Sequence, residues 1–130
     1  MTAPLVLGTL VVHPWHCDRF GHMNTRHYAA AFDDAIFVFW SRLPGDGAIH
    51  PVTAAMKTGF LAEAPVGTVA EIHARIGRIG GKSVTLELSL VSTTGVLATC
   101  EVAEVFFDAT TRTSAPIPDP VRNALTASAA

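Results

Sequence analysis

Between His13 and Phe39 the chain reads HPWHCDRFGHMNTRHYAAAFDDAIFVF, and this stretch concentrates its reactive side chains. Four of the six histidines, Cys17 and Asp18 fall here, in a loop that runs into a strongly apolar helix. A loop carboxylate beside a helix start can act as general base or nucleophile while the helix-start amides stabilise an oxyanion. The plainer role for Asp18 is an Asx-turn. His13, His16, His22 and His27 with Cys17 invite a metal, but no two of them are spaced i, i+4 on a helix. CxxC and HExxH are both absent, so no metal site is expected. His22, between Gly21 and the helix start, is the histidine best placed to activate water or to tie down the loop. Cys17 could be a nucleophile beside His16 or His22, although a thiol among apolar neighbours is more often inert.

A second candidate is Gly80-Gly81-Lys82-Ser83, which resembles the end of a phosphate loop. That motif needs a further glycine where this chain has Ile76, and a following helix where Val84 to Leu90 alternates as a strand. A nucleoside-triphosphate site is therefore not expected. The turn's position and charge still make Arg78, Lys82 and Ser83 candidate contacts for a phosphate of some ligand.

These residues need a scaffold, and 130 residues suffice for one domain, 1–130, with a core of its own. Apolar residues make up 49% and charged residues 15%, which implies a large buried area and leaves little polar skin, so part of the apolar surface is expected in a subunit interface. A net charge of -2 argues against nucleic acid. Two cysteines, Cys17 and Cys100, read as free thiols of a reducing cytoplasm. MTAPLVLGTL lacks the basic start of a signal peptide, and Ser, Arg, Gly and Pro interrupt every apolar run before it could cross a bilayer.

Leu5 to His13 predicts a strand closed by Pro14. Asn24 stands where an N-cap belongs, and from Thr25 the apolar positions Tyr28, Phe32, Ala35, Ile36, Phe39 and Leu43 follow helical spacing. Phe37, Val38 and Trp40 fall outside that stripe, which predicts a helix buried on nearly all sides. Leu43-Pro44-Gly45-Asp46-Gly47 ends it. Val52 to Ala64, Thr68 to Ile76, Val84 to Leu90 and Val96 to Asp108 read as strands, with turns at Pro65-Val66-Gly67, Gly77 to Lys82 and Thr93-Thr94-Gly95. Ala70, Ile72, Ala74 and Ile76 alternate with Glu71, His73 and Arg75, the mark of an antiparallel sheet with one buried face. One helical turn is expected near Val121 to Leu125, and a frayed end at Ala127 to Ala130. One strand, one greasy helix and four strands in sequence predict an α+β hot-dog fold: an antiparallel five-stranded sheet wrapped around one long helix.

Asp18-Arg-Phe-Gly-His22-Met-Asn24-Thr-Arg-His-Tyr28, followed by Phe32-Asp-Asp-Ala35, resembles the opening motif of the 4-hydroxybenzoyl-CoA thioesterase-like hot-dog proteins. Pro65-Val-Gly67, Ile79-Gly-Gly-Lys-Ser83, Thr94-Gly95 and the ending Asp108…Arg112…Pro116-Ile-Pro118…Arg122…Leu125 extend the resemblance over nearly the whole length. It implies an acyl-CoA thioesterase in which Asp18 is nucleophile or base and the Thr25 backbone N–H polarises the thioester carbonyl. Asn24 would fix the loop and cap the helix, while His22 and Tyr28 shape the pocket. Coenzyme A is then part of the substrate and no cofactor is implied, with Arg78, Lys82 and Ser83 as its candidate contacts. The resemblance also implies a homodimer or homotetramer with sheets joined edge to edge and the acyl pocket at the interface. Family members often carry a second Asn where this chain has Thr25, a change that keeps the backbone donor.

Two rivals remain. A hot-dog hydratase or dehydratase would use an acid–histidine pair, but its motif has Asn-Pro between the two and a longer gap than Arg-Phe-Gly. A non-catalytic acyl-thioester binder would bind without turnover.

Overall fold

The computed structural model describes residues 3–45 and 47–129; Asp46 of the helix-stop run and Ala130 of the tail lie outside them. The elements are β1 Leu5–Val11, a 3-10 turn Pro14–His16, α1 Thr25–Ser41, β2 Ile49–Phe60, β3 Val69–Ile79, β4 Ser83–Ser92, β5 Gly95–Asp108, β6 Thr113–Ser114 and α2 Asp119–Ala129. The sheet runs β1-β3-β4-β5-β2, every pairing antiparallel, with β6 added against β5. This is the expected hot-dog fold, with β2 placed at the edge beside β5 and one two-residue strand added.

Alternation along the strands builds the core. Ala70, Ile72 and Ala74 of β3, Val84, Leu86, Leu88 and Leu90 of β4, and Ala98, Cys100, Val102 and Phe106 of β5 are all buried on the face that meets α1. Tyr28, Phe32, Ala35, Ile36 and Phe39 close that core from the helix side. Each large side chain taken out of water there contributes about 1.5–3 kcal/mol.

The helix itself corrects an expectation. It is buried on one face only: Asp33, Asp34 and Phe37 lie on the open side, with Phe37 71% exposed. An apolar surplus on a helix signals burial somewhere, and among the described residues nothing covers this side. The edge strand β2 tells the same story. Val52, Met56 and Phe60 are exposed along a twelve-residue strand that pairs with β5 on one side only.

Three boundaries moved for local reasons. β2 begins at Ile49 and runs through Pro51 opposite Phe106, which an edge strand tolerates because its outer N–H positions bond no neighbour. β3 continues past Gly77 to Ile79 through a bulge, where the Arg78 N–H donates to Thr85 Oγ1 at 2.7 Å. A Cβ at Gly77 would stand 2.5 Å from that hydroxyl, so only glycine fits the irregular step. α2 is three turns rather than one. Asp119 and Pro120 start it as good first-turn residues, Val121 and Leu125 bury its inner face, and alanines carry it to Ala129, where fraying was expected. Arg122 fixes it to the β3–β4 turn by donating to the Gly80 carbonyl at 2.7 Å and the Gly81 carbonyl at 3.2 Å.

Candidate active site

The loop between the 3-10 turn and α1 is a small hairpin. Cys17 and Met23 form an antiparallel bridge, and the Gly21 N–H closes the turn on the Asp18 carbonyl at 3.0 Å. Gly21 has φ +84, a left-handed conformation that glycine adopts without strain. The turn presents the Asp18 carboxylate to two donors. Oδ1 accepts from the Phe20 N–H at 2.9 Å, and Oδ2 accepts from the Asn24 side-chain amide at 3.1 Å. The Phe20 bond foremost, then the Asn24 bond, holds the Asp18 pKa below the ordinary carboxylate value, so the group is ionised at neutral pH. The Asx-turn and the site are thus the same geometry.

Asn24 is the N-cap that the sequence predicts. Its Oδ1 accepts the Arg26 N–H at 3.2 Å and its carbonyl accepts the His27 N–H at 3.0 Å. Thr25, the first helical residue, lines a cavity of about 310 Å³ together with Asp18, and its N–H is one of those that a helix start leaves without an intrahelical partner. Met23, Tyr28, Phe60 and Leu61 supply apolar lining to the cavity, and His22 and Glu63 polar lining. Tyr28 and Phe60 meet edge to face at 5.1 Å, and burial raises the Tyr28 pKa. His22 Nε2 lies 3.7 Å from Glu63 Oε1, and the His22–Pro65 bridge fixes the hairpin to the β2–β3 loop.

Asp18, His22, Asn24, Thr25 and Tyr28 therefore come together. Arg78, Lys82 and Ser83 do not join them within one chain: their turn ends β3 and begins β4, about 30 Å away by the rise of a strand. Its Gly80 and Gly81 carbonyls face Arg122 instead. Phe60, Leu61 and Glu63 of the site escaped the sequence reading, because their link to the loop is a tertiary one. The proline-glycine turn just after them was the available signal that β2 ends here.

A larger hollow of about 650 Å³ lies on the outer face of the sheet and shares no lining residue with the Asp18 cavity. Its charges stand opposite one another in register, Arg75 across from Glu87 and Lys57 across from Glu101, as in an ordinary solvated sheet face. No group of side chains able to hold a metal occurs among the described residues, and Cys17 and Cys100 are free thiols.

A hot-dog sheet around one helix, with a hydrogen-bonded carboxylate at that helix's start, defines the class of protein. The chain belongs to the thioesterase-like superfamily, whose family model matches residues 12–125, and is classed by that membership with the thioester hydrolases. None of the curated proteins matches it significantly. Among solved structures it is similar to a hypothetical protein of Staphylococcus aureus in complex with CoA, at 22% identity and TM-score 0.88, over 99% of this chain and 87% of that one. It is also similar to a predicted thioesterase of Bacillus stearothermophilus, at 20% identity and TM-score 0.86, covering 97% and 96% of the two chains. A 1,4-dihydroxy-2-naphthoyl-CoA thioesterase from Synechocystis follows at 15% identity and TM-score 0.81, with 95% and 96% covered. Identities this low establish a shared fold. No helix among the described residues is long and apolar enough to cross a membrane.

Proposed function

We propose that the protein hydrolyses the thioester of a small or medium acyl-CoA at the Asp18 cavity. The observation that carries this reading is the shared wall: Asp18, whose carboxylate is ionised, and Thr25, the first residue of α1, line one cavity of about 310 Å³. Attack on a thioester places negative charge on the carbonyl oxygen, and the Thr25 N–H at the positive end of α1 is a preformed donor for it.

The lowered pKa keeps Asp18 ionised, as a nucleophile must be. Asp18 oxygen attacks the carbonyl carbon, the C–S bond breaks, and CoA leaves as the thiol once protonated. Water then cleaves the acyl–Asp18 anhydride and returns the carboxylate. Asn24 holds Asp18 and caps α1, His22 supplies or takes the proton, and Tyr28 shapes the acyl wall.

The same reading makes the functional unit a homodimer, or a tetramer of such pairs. The unpaired edge of β2 and the exposed Val52, Met56, Phe60 and Phe37 support it. Two β2 edges joined by a two-fold axis swap the ends of the sheet. The Arg78–Ser83 turn of the second copy then lies on the site side of the first, a few strands across, where the long pantetheine arm can reach it. A reducing cytoplasm suits the two free thiols.

A panel of acyl-CoA esters assayed with a thiol reagent tests the function. Release of one thiol per ester supports it. Binding without release favours a non-catalytic binder, and conversion of an enoyl or 3-hydroxyacyl ester without thiol favours a hydratase.

A further inference from the structure

Behind the catalytic loop lies a set of aromatic rings that the proposed chemistry does not use. His16 is 6% exposed and is the last residue of the 3-10 turn. Its ring lies tilted against Trp15 at 3.7 Å between centroids, meets His27 edge-on at 5.0 Å and stacks on His13 at 5.8 Å. Three hydrogen bonds tie the residue into the site. Its N–H donates to the His13 carbonyl at 2.9 Å, its Nδ1 accepts the His13 N–H at 2.8 Å, and its carbonyl accepts the Asn24 N–H at 3.0 Å. Asn24 in turn caps α1 and holds the Asp18 carboxylate. The line from imidazole to nucleophile is therefore continuous: His16, Asn24, Asp18.

An Nδ1 that accepts from a backbone N–H carries no proton, which assigns the Nε2–H tautomer to the neutral ring. Protonation turns Nδ1 from acceptor to donor, two N–H groups then face each other, and the side-chain bond that caps the start of the 3-10 turn at His13 is lost. The titratable groups whose charge acts on His16 are His27, from the first turn of α1, and His13, from the end of β1. Both are histidines, so neither supplies a negative charge to welcome a proton. Asp18, two residues on, is engaged by Phe20, Asn24, His22 and Arg19. Desolvation first, then these two neighbours, lower the His16 pKa below its ordinary value.

We propose that His16 is a positioning residue of the Asp18 site that works only as the neutral imidazole, so that acid releases the loop and switches the site off. The proposal concerns regulation of the same site and rests on the function proposed above.

Two substitutions and one spectrum test it. Asn at position 16 can offer an acceptor near the place of Nδ1 but cannot take a proton; Leu offers no acceptor. His16→Leu should lower kcat about tenfold or more at pH 8, the scale of a misplaced catalytic group, and His16→Asn should recover most of that loss. The parent should lose kcat as pH falls below the ordinary histidine value of about 6.5, and His16→Asn should lack that limb. Histidine NMR of the parent, with the His16 signal identified by its disappearance in His16→Asn, should show the Nε2–H tautomer at pH 7. The Asn24 and Asp18 amide signals should move with its titration. Identical acid limbs in parent and His16→Asn, a ring protonated at pH 7, or Asn24 and Asp18 signals indifferent to its titration would each overturn the proposal. If no acyl-CoA is cleaved at any pH, the proposed function fails, while the spectrum still decides whether the switch exists.

Discussion

Two carboxylates in this molecule sit in opposite environments, and α1 separates them. Asp18 lies ahead of the helix, partly open to the cavity, with a backbone N–H and an amide on its two oxygens. Glu104 lies on β5 beneath the helix's later turns, 1% exposed, where Oε1 accepts the Trp40 indole N–H at 2.7 Å and Oε2 is buried without a partner. The first is held below its ordinary pKa by hydrogen bonds to the charged form. Burial raises the second, against the bonds from Thr53 and Trp40, and the Asp33 charge adds to the rise. Donors placed ahead of the helix keep a carboxylate ionised and ready for chemistry. Burial under the helix works against the charge on the other and favours its neutral form, as a piece of core. Environment divides the roles.

That contrast can be broken from either side. Asp18→Asn should cost kcat at least about a hundredfold, because it removes the reacting charge while leaving a side chain that still accepts the Phe20 N–H. A steady-state assay with KM little changed is the expected outcome. Met56→Lys places a charge on the exposed β2 edge and should convert pairs to monomers by sedimentation, with activity lost in step if the cavity needs a second copy. Asn24→Ala removes both the cap and a ligand of Asp18. It should lower stability by about 1 kcal/mol in urea melts, and lower kcat by more than that loss of cap explains.

Glu104→Gln probes the other carboxylate and should have the smallest effect. With a raised folded pKa, the parent loses stability as pH climbs from the unfolded carboxylate value through the folded one. The Tm of Glu104→Gln relative to the parent should therefore rise from pH 4 to pH 8. A difference that is flat across that range would mean that Glu104 is not held neutral.

How far the sequence could be read follows from the same division. The loop and cap were legible because their signals are local: Asn24 before a helical period, Gly21 inside a turn, Asp18 between them. The meander was legible because Ala70 to Ile76 and Val84 to Leu90 alternate. Glu104 could have been found, since the alternation that turns Val102 and Phe106 inward turns Glu104 with them. Glu63 could not, because its place beside His22 depends on how the β2–β3 loop folds over the hairpin. His16 escaped for a related reason. The sequence set aside a metal for the histidine cluster but gave no sign of the bond from the His13 N–H to His16 Nδ1, which depends on how the 3-10 turn folds. The greasy far side of α1 was read as burial inside one chain. Phe37 is instead exposed on the side of α1 that the sheet does not meet.

The central claim is that Asp18 cuts the thioester in a cavity that binds it independently. Single-turnover mixing of acyl-CoA with the parent and with Asp18→Asn, following thiol release and bound ester together, tests it most directly. The account predicts that Asp18→Asn binds the ester as the parent does and holds it uncleaved. Thiol released by Asp18→Asn at the parent's rate would contradict it.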